Sequence, residues 1–314
     1  MSQVHVVFGT GPLGRSVMQE LLARGRTVRM LSHSGTMAET PAGVQVAAAD
    51  LYDPASVRRM VQDAAVAYQC SQPKYHEWPQ KFPPLQAAIL EGLTGTSTRL
   101  VIAENLYMYG DTDGHPLTED LPFAAHTRKG KVRAAMSQAA LAAHQAGNVR
   151  VAIGRGSDFF GPWALNSSHG DRVFYPALAG KTASFGGRLD QPHTATYIGD
   201  FGKGLVILGE REDALGQAWH VPSDRPSITQ GEFAQLVCEQ LGIPPRSSAI
   251  SKRMMRLAGL FIPGAREAVE MMYEFEKPFI VDSSKFEKTF AVRPTPLAQA
   301  IEATLAWYRS HPKN

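Results

Sequence analysis

The segment Gly9-Thr10-Gly11-Pro12-Leu13-Gly14 constrains this chain more than any other stretch. It follows directly on the apolar run Val4-His5-Val6-Val7-Phe8, which reads as a strand, and leads into residues 13–23, which read as a helix closed by Arg24-Gly25. In a G-x-G-x-x-G set placed this way, the first glycine permits the tight turn and the second lets backbone approach a pyrophosphate. The third lets the helix pack closely on the strand, and the helix N-terminus offers N–H groups to the anion. The competing reading of these residues is a glycine-rich turn that binds nothing.

Downstream, short apolar runs alternate with helical stretches, the pattern of a parallel sheet covered on both faces. Strands are predicted at 27–31, 44–48, 66–70, 99–103 and 149–154, and helices at 54–64, 85–92 and 131–145. Asp53 is a plausible N-cap with Pro54 at the first helical position. Residues 71–84 read as a loop rich in Pro and aromatic residues. After Gly161-Pro162 the rhythm breaks down, and residues 162–194 and 223–290 read as material packed beside a sheet rather than as a second sheet. The expected architecture is an α/β, Rossmann-type doubly wound parallel sheet with a smaller, interlaced C-terminal substrate lobe. The expected division is a dinucleotide-binding domain at 1–161, with 195–222 returning to it, and a substrate-binding lobe at 162–194 and 223–314.

The end of the second strand bears on the choice of cofactor. An NAD site places Asp or Glu there for the ribose 2′-hydroxyl. Here Ser32-His33-Ser34 occupy the position, with no acidic residue before Glu39, and Arg15 or Arg29 is available to supply positive charge. The residues therefore favour NADP, with NAD as the alternative; the plain reading of Ser32 and His33 is a polar turn. Asp50-Leu51 follow the third strand, where a carboxylate accepts a bond from the adenine amino group and the leucine lies against the ring, or where Asp50 simply caps a turn. Cys70, Ser71 and Gln72 follow the fourth strand and are expected to contact the cofactor, with Cys70 too buried to be reactive.

Composition excludes several classes. A formal net charge of +3, scattered along the chain, gives no nucleic-acid surface. Two cysteines far apart in sequence, Cys70 and Cys238, suit a reducing cytosol. No apolar run approaches a membrane span of about 18 residues, and the N-terminus lacks a basic region and cleavage site, so a cytoplasmic protein is expected. The ten histidines show no His-x-x-x-His or Cys-x-x-Cys spacing, so no metal site is expected. There is no G-x-S-x-G elbow of a serine hydrolase.

Taken in order, further segments resemble the NAD-dependent epimerase/dehydratase family, the extended short-chain dehydrogenases. Besides the opening glycines and Asp50-Leu51, they are Asn105-Leu106-Tyr107-Met108-Tyr109-Gly110, similar to a Ser-x-x-x-Tyr-Gly segment, and Pro116, Glu119 and Pro122 in the following loop. Arg155-Gly-Ser-Asp-Phe-Phe-Gly161-Pro162 resembles Arg-Pro-x-Asn-x-Tyr-Gly-Pro, Tyr197-Ile198-Gly199-Asp200 resembles His/Tyr-Val-Asp-Asp, and Trp307-Tyr308-Arg309 forms the tail. The resemblance spans nearly the whole chain. It implies hydride transfer between nicotinamide C4 and a carbon bearing oxygen, with a tyrosine handling the proton, a lysine lowering that tyrosine's pKa and holding the ribose, and a serine or threonine bonding the substrate oxygen. Homodimers are common in such folds.

Against that pattern the chain departs. Asn105 stands at the serine position, and taking Lys131 as the lysine puts Thr127 where the tyrosine belongs. A threonine hydroxyl has no useful acidity near neutral pH. Tyr107 is the preferred substitute donor, because on an extended segment it shares a side with Asn105 and because related dehydratases carry a catalytic acid there; Tyr75 is the second candidate. The plain readings are that Tyr107 and Tyr109 pack beneath the loop, and that Lys131 belongs to a solvated basic cluster with Arg128, Lys129 and Arg133. His193 replaces the phosphate-clamping arginine of nucleotide-sugar enzymes and Asp158 an asparagine, so a small, non-nucleotide carbonyl or alcohol is expected as substrate, since a carboxylate repels a diphosphate. Trp78, Trp163, Phe185 and Tyr273 either line an aromatic pocket or fill the core. The competing functions are a catalytically silent, NADP-sensing regulator and a cofactor-free lyase.

Overall fold

The computed structural model describes residues 3–313. Its secondary structure opens β1 (Val4–Phe8), α1 (Pro12–Ala23), β2 (Thr27–Ser32), β3 (Gln45–Ala48), α2 (Pro54–Val61), β4 (Ala64–Gln69), α3 (Trp78–Leu93), β5 (Arg99–Glu104), α4 (Arg128–Gln145) and β6 (Arg150–Arg155). It continues β7 (Asp158–Phe160), α5 (Asp171–Leu178), β8 (Ala183–Gly186), β9 (Ala195–Tyr197), α6 (Ile198–Glu210), β10 (Ala218–His220), α7 (Gln230–Leu241), β11 (Ser247–Ile250) and α8 (Lys252–Ala258). Short helices α9 (Pro263–Ala268), α10 (Tyr273–Glu276) and α11 (Ser284–Phe290) lead to the longer α12 (Leu297–Ser310).

The chain divides into two compact units, residues 1–108, 129–155 and 201–221 in the first, and residues 109–128, 156–200 and 222–314 in the second. The first unit holds a seven-stranded sheet in the order β10-β6-β5-β4-β1-β2-β3, every ladder of it parallel. This is the Rossmann-type, doubly wound sheet expected from the alternating pattern. Its strands are near-continuous apolar runs because helices cover both faces. Val6, Phe8, Leu31, Leu100, Ile102, Val151 and Ile153 are among the buried residues of the core. Strand order reverses at β1, whose neighbours are β2 on one side and β4 on the other. Open α/β sheets place ligands outside the carboxyl ends of the strands at such a point.

The second unit has its own core, centred on Phe160, Phe174, Phe185, Phe233, Ile301 and Leu305. Residues 162–194 and 223–290 do carry a small parallel sheet, β8 with β11, and β7 pairs with β9. The irregular sequence there hid strands of only three or four residues, too short for a periodicity to show.

Two local expectations are corrected. Helix α3 begins at Trp78, with Pro79 in its first turn and Pro83 and Pro84 inside it, where the sequence reading placed a loop to residue 84. A proline early in a helix costs little because the first turn's N–H groups have no helical partners. Anchoring by the Trp78 indole, which donates to the Pro73 carbonyl at 3.2 Å, and burial of Phe82 and Leu85 hold the segment through the two interior prolines. Helix α4 begins three residues earlier than expected, at Arg128.

At the carboxyl ends of β5 and β6 lies a buried ion cluster. The Arg155 Nε donates to Glu104 at 3.0 Å, Arg133 approaches the same carboxylate at 3.5 Å, and Arg155 also donates to the Ser137 hydroxyl at 2.7 Å. Removing one partner of a buried ion pair leaves an uncompensated charge. Glu104→Gln is therefore expected to destabilise the protein by about 3–5 kcal/mol in denaturant unfolding, while Arg188→Ala, whose bond to Asp190 is exposed, leaves the midpoint unmoved. An unchanged midpoint in Glu104→Gln would contradict the cluster's role.

Candidate functional site

The turn after β1 is built as the glycine spacing requires. Gly9 adopts a φ of 111°, and a Cβ there would meet the Ser71 backbone at 3.0 Å. At Gly14 a Cβ would stand 2.0 Å from the Gly9 carbonyl oxygen, so only glycine lets α1 dock at this distance. Gly11 differs: a Cβ there would meet nothing within 4 Å, and its backbone is extended, with φ −74° and ψ −174°. It is the N-cap of α1, yet no side chain caps the helix and the first turn carries no acidic residue. An uncapped helix end with open space before it suits an anion.

The remaining cofactor candidates follow the neighbouring strands. Ser32 ends β2, its hydroxyl donating to the Thr36 carbonyl at 3.0 Å, while Ser34 bonds the Thr36 hydroxyl at 2.8 Å and His33 is exposed. Arg15 reaches back over this loop, donating to the Ala38 carbonyl at 2.6 Å and to the Thr10 carbonyl at 3.2 Å. Arg29, the other candidate for charge here, is committed elsewhere: it makes a bidentate bond to Asp63 at 2.8 and 2.9 Å. Asp50 accepts from the Tyr52 amide at 2.9 Å, so one of its oxygens does cap the turn, and Leu51 packs against the core.

Cys70 is partly buried, and burial pushes its thiol well above the ordinary range, consistent with an inert group. Ser71 and Gln72 follow it, half-buried and exposed. Buried side-chain oxygens near these strand ends that lack a hydrogen-bond partner include Gln69 Oε1, Ser71 Oγ and Asn105 Oδ1. Buried polar groups are nearly always satisfied, so orphaned acceptors and hydroxyls here, together with the open space at Gly11, fit a polar ligand.

The catalytic candidates are placed less as expected. Tyr107 opens a 3₁₀ turn, Tyr107–Tyr109, rather than lying on an extended segment, so strand alternation does not put it beside Asn105. Its ring packs against the core and lies 6.1 Å from that of Trp78. The Tyr75 hydroxyl is 3.5 Å from the Tyr107 hydroxyl, which brings the two candidate donors together. Thr127 is buried and immediately precedes α4. Lys131 is exposed. The lysine turned inward is Lys129, fully buried, with its Nζ 4.4 Å from the centroid of the Tyr75 ring. One turn later Arg133 is buried on the same face.

The solvated basic cluster of the plain reading is thus split: two members are enclosed, Lys131 faces solvent, and Arg128 pairs with Glu267. Residues 129 and 133 are four apart and share a helix face, whereas 129 and 131 lie about 200° apart. That i, i+4 spacing was the signal missed. Ala-rich sequence all around α4 left no apolar stripe to reveal which face was buried.

In the second unit Asp158 and His193, the two departures from the nucleotide-sugar pattern, are partners. His193 Nε2 lies 2.7 Å from an Asp158 oxygen and its Nδ1 3.1 Å from the Glu274 carbonyl. These two contacts hold the ring between a backbone carbonyl and a carboxylate. Burial raises the Asp158 carboxyl, but the bond from His193 and the nearby His193 and His169 outweigh it and hold it below its usual range. Glu274 is pushed well above its own, by burial and then by Asp158. Trp163 packs instead on Trp307, at 5.0 Å between centroids, and on His311; Phe185 lies in the core. Among the described residues no group of three or more His, Cys, Asp or Glu is placed to hold a metal ion, and no helix is long and apolar enough to cross a membrane.

Comparison with known proteins gives one family match and a shared fold. The profile of the NAD dependent epimerase/dehydratase family matches residues 5–221. No curated protein matches the chain in sequence. A UDP-glucuronic acid 4-epimerase from Bacillus cereus, solved with UDP-glucuronic acid and NAD, superposes with a TM-score of 0.78 at 17% identity, over 99% of this chain and 100% of its own. A dTDP-glucose 4,6-dehydratase from Bacillus anthracis, solved with NAD, gives 0.77 at 14% identity, over 98% and 97%. An epimerase from Methanothermobacter thermautotrophicus gives 0.80 at 15%, over 99% and 93%.

Two predictions follow from this geometry. Gly14→Ala forces α1 off the Gly9 carbonyl and should cost about 1–3 kcal/mol, whereas Gly11→Ala should leave the unfolding midpoint within error; equal effects would contradict the turn as described. Burial lowers the His169 pKa from 6.5 to about 3. The unfolded chain therefore binds a proton that the folded chain does not, between those values. Stability from this group is complete above pH 6.5 and drains as pH falls toward 3. His169→Gln should flatten that part of the stability–pH curve, and an unaltered slope would refute it.

Proposed function

Because the chain belongs to the NAD dependent epimerase/dehydratase family, a family of NAD-dependent enzymes, we propose that it is a hydride-transfer enzyme acting on a small, non-nucleotide carbonyl or alcohol. The observation that carries the reading is the uncapped N-terminus of α1 with open space at Gly11. When bound, the nicotinamide supplies or accepts the hydride. Backbone amides of the turn at 9–14 hold the diphosphate, Asp50 and Leu51 the adenine, and Cys70, Ser71 and Gln72 line the cofactor along the end of β4. Two of the similar structures were solved with NAD, and we assign NADP here. Support comes from Ser32, His33 and Ser34 in place of a carboxylate and from Arg15, which crosses that loop.

Tyr107 is the proton donor to the substrate oxygen, and the unpartnered Oδ1 of Asn105 accepts from a substrate hydroxyl beside it. Neutralising that oxygen as charge develops on it lowers the barrier to hydride movement. The second unit serves as substrate lobe, with Asp158 and His193 as its contacts. Their mutual hydrogen bond makes them a polar pair better suited to a hydroxyl or carbonyl than to a diphosphate, which the carboxylate repels.

Incubating the protein with NADPH and a panel of small carbonyl compounds should consume the reduced-nicotinamide absorbance for at least one member. Tyr107→Phe should slow it by about 10²–10⁴-fold, and Arg15→Met should raise the KM for NADPH but not for NADH. Turnover of Tyr107→Phe within tenfold of wild type removes that residue from the role. Saturable NADPH binding with no turnover across the panel favours the silent, NADP-sensing alternative.

A further inference from the structure

Two half-buried phenols and two enclosed cations meet in the first unit, and the reading above uses only one of the four. Tyr75 opens the turn after β4 and Tyr107 the turn after β5, and their hydroxyls lie 3.5 Å apart with Tyr75 donating. Both rings are half-buried, so the pair retains access to a ligand. Lys129 Nζ stands 4.4 Å from the Tyr75 ring centroid. Arg133 lies over Phe82 at 4.7 Å; burial lowers its pKa, and Tyr107 is among the groups that act against that lowering. Lys129 is completely enclosed and Arg133 nearly so. Neither reaches a substrate directly, and any effect they have passes through the phenols.

A cation above a phenol ring attracts the neutral ring through its quadrupole and attracts the phenolate far more, because ionisation places a full negative charge on the same ring and oxygen. An opposite charge within about 4–6 Å lowers an acid's pKa by about 1–3 units. The charged groups described near the pair are themselves partnered or exposed. The Glu104 carboxylate is bound to Arg155 at 3.0 Å and lies 3.5 Å from Arg133. Along the turn, Lys74 and His76 are exposed, and Glu77 is paired with Lys81 at 2.6 Å.

We propose that Lys129, with Arg133 beside it, turns the Tyr75–Tyr107 hydroxyl pair into a two-proton relay, Tyr107 donating to the substrate and Tyr75 replenishing Tyr107. The Tyr107 O–H bond breaks as the substrate O–H forms. The Tyr75 proton then moves to the Tyr107 oxygen, and the phenolate charge comes to rest on Tyr75, under the Lys129 ammonium. Lys129 is thus a positioning residue, and Tyr75 changes from a packing residue to the seat of the charge. The inference rests on Tyr107 as donor, but its test does not need the cofactor.

Spectrophotometric titration of the tyrosinate band in the cofactor-free protein reads it directly. Of the nine tyrosines, one should ionise about 1–3 pH units below the ordinary value near 10. Tyr75→Phe should abolish that early step, Lys129→Met should return it to the ordinary range, and Lys129→Arg should retain it. If Lys129→Met does not fold, Tyr75→Phe and Lys129→Arg decide the matter alone. With turnover in hand, the high-pH limb of kcat/KM should move up by the same interval in Lys129→Met. The absence of an early-ionising tyrosine in wild type, or its persistence in Tyr75→Phe, overturns the relay. That result would leave the proposed hydride chemistry standing if Tyr107→Phe is still impaired, whereas an early tyrosine in a protein that turns over nothing would sink the chemistry alone.

Discussion

Helix α1 approaches β1 so closely that the Gly14 Cα lies where a side chain would strike the Gly9 carbonyl. From that contact the arrangement of the first unit's candidate site follows. It aims the helix axis at the turn, leaves the N-terminal amides without a capping side chain, and keeps the ground in front of Gly11 open. A side chain at either position would disturb this: at Gly14 by moving the helix, at Gly11 by occupying the approach. The strands on either side of β1 then bring Ser32, Asp50, Ser71 and Asn105 to the carboxyl ends of one sheet.

Two features stand out against the apolar background of the units. In the first, Glu104, Arg133 and Arg155 are buried together, with Lys129 and the phenols of Tyr75 and Tyr107 in the same unit. In the second, Asp158 and His193 are hydrogen-bonded within a shell of aromatic rings, including Phe275 at 4.5 Å and Phe279 at 5.3 Å from the His193 ring. Buried charges are expensive unless paired, and perturbed ionisable groups gather at functional sites.

What could be read from the sequence was set by periodicity and by glycine. The parallel strands of the first unit are nearly unbroken apolar runs, and the glycine spacing at 9–14 admits few structures, so the sheet and its first turn were visible. Three prolines between Trp78 and Leu85 hid the start of α3, since the helix there is held by the Trp78 indole and by burial of Phe82 rather than by propensity. Alanine on every face of α4 concealed that Lys129 and Arg133, not Lys131, turn inward. Tyr107 was assigned an alternation that its 3₁₀ turn does not have. The bond from His193 to Asp158 joins residues 35 apart, a pairing that no local pattern encodes.

The most direct test of the central claim, that the turn at 9–14 wraps a dinucleotide diphosphate, is isothermal titration calorimetry of the purified protein with NADP, NADPH, NAD and NADH. Saturable heat at one site per chain, stronger for the phosphorylated pair, is the result this account requires. No heat and no saturation with any of the four would contradict it, whatever Tyr107 and Lys129 do.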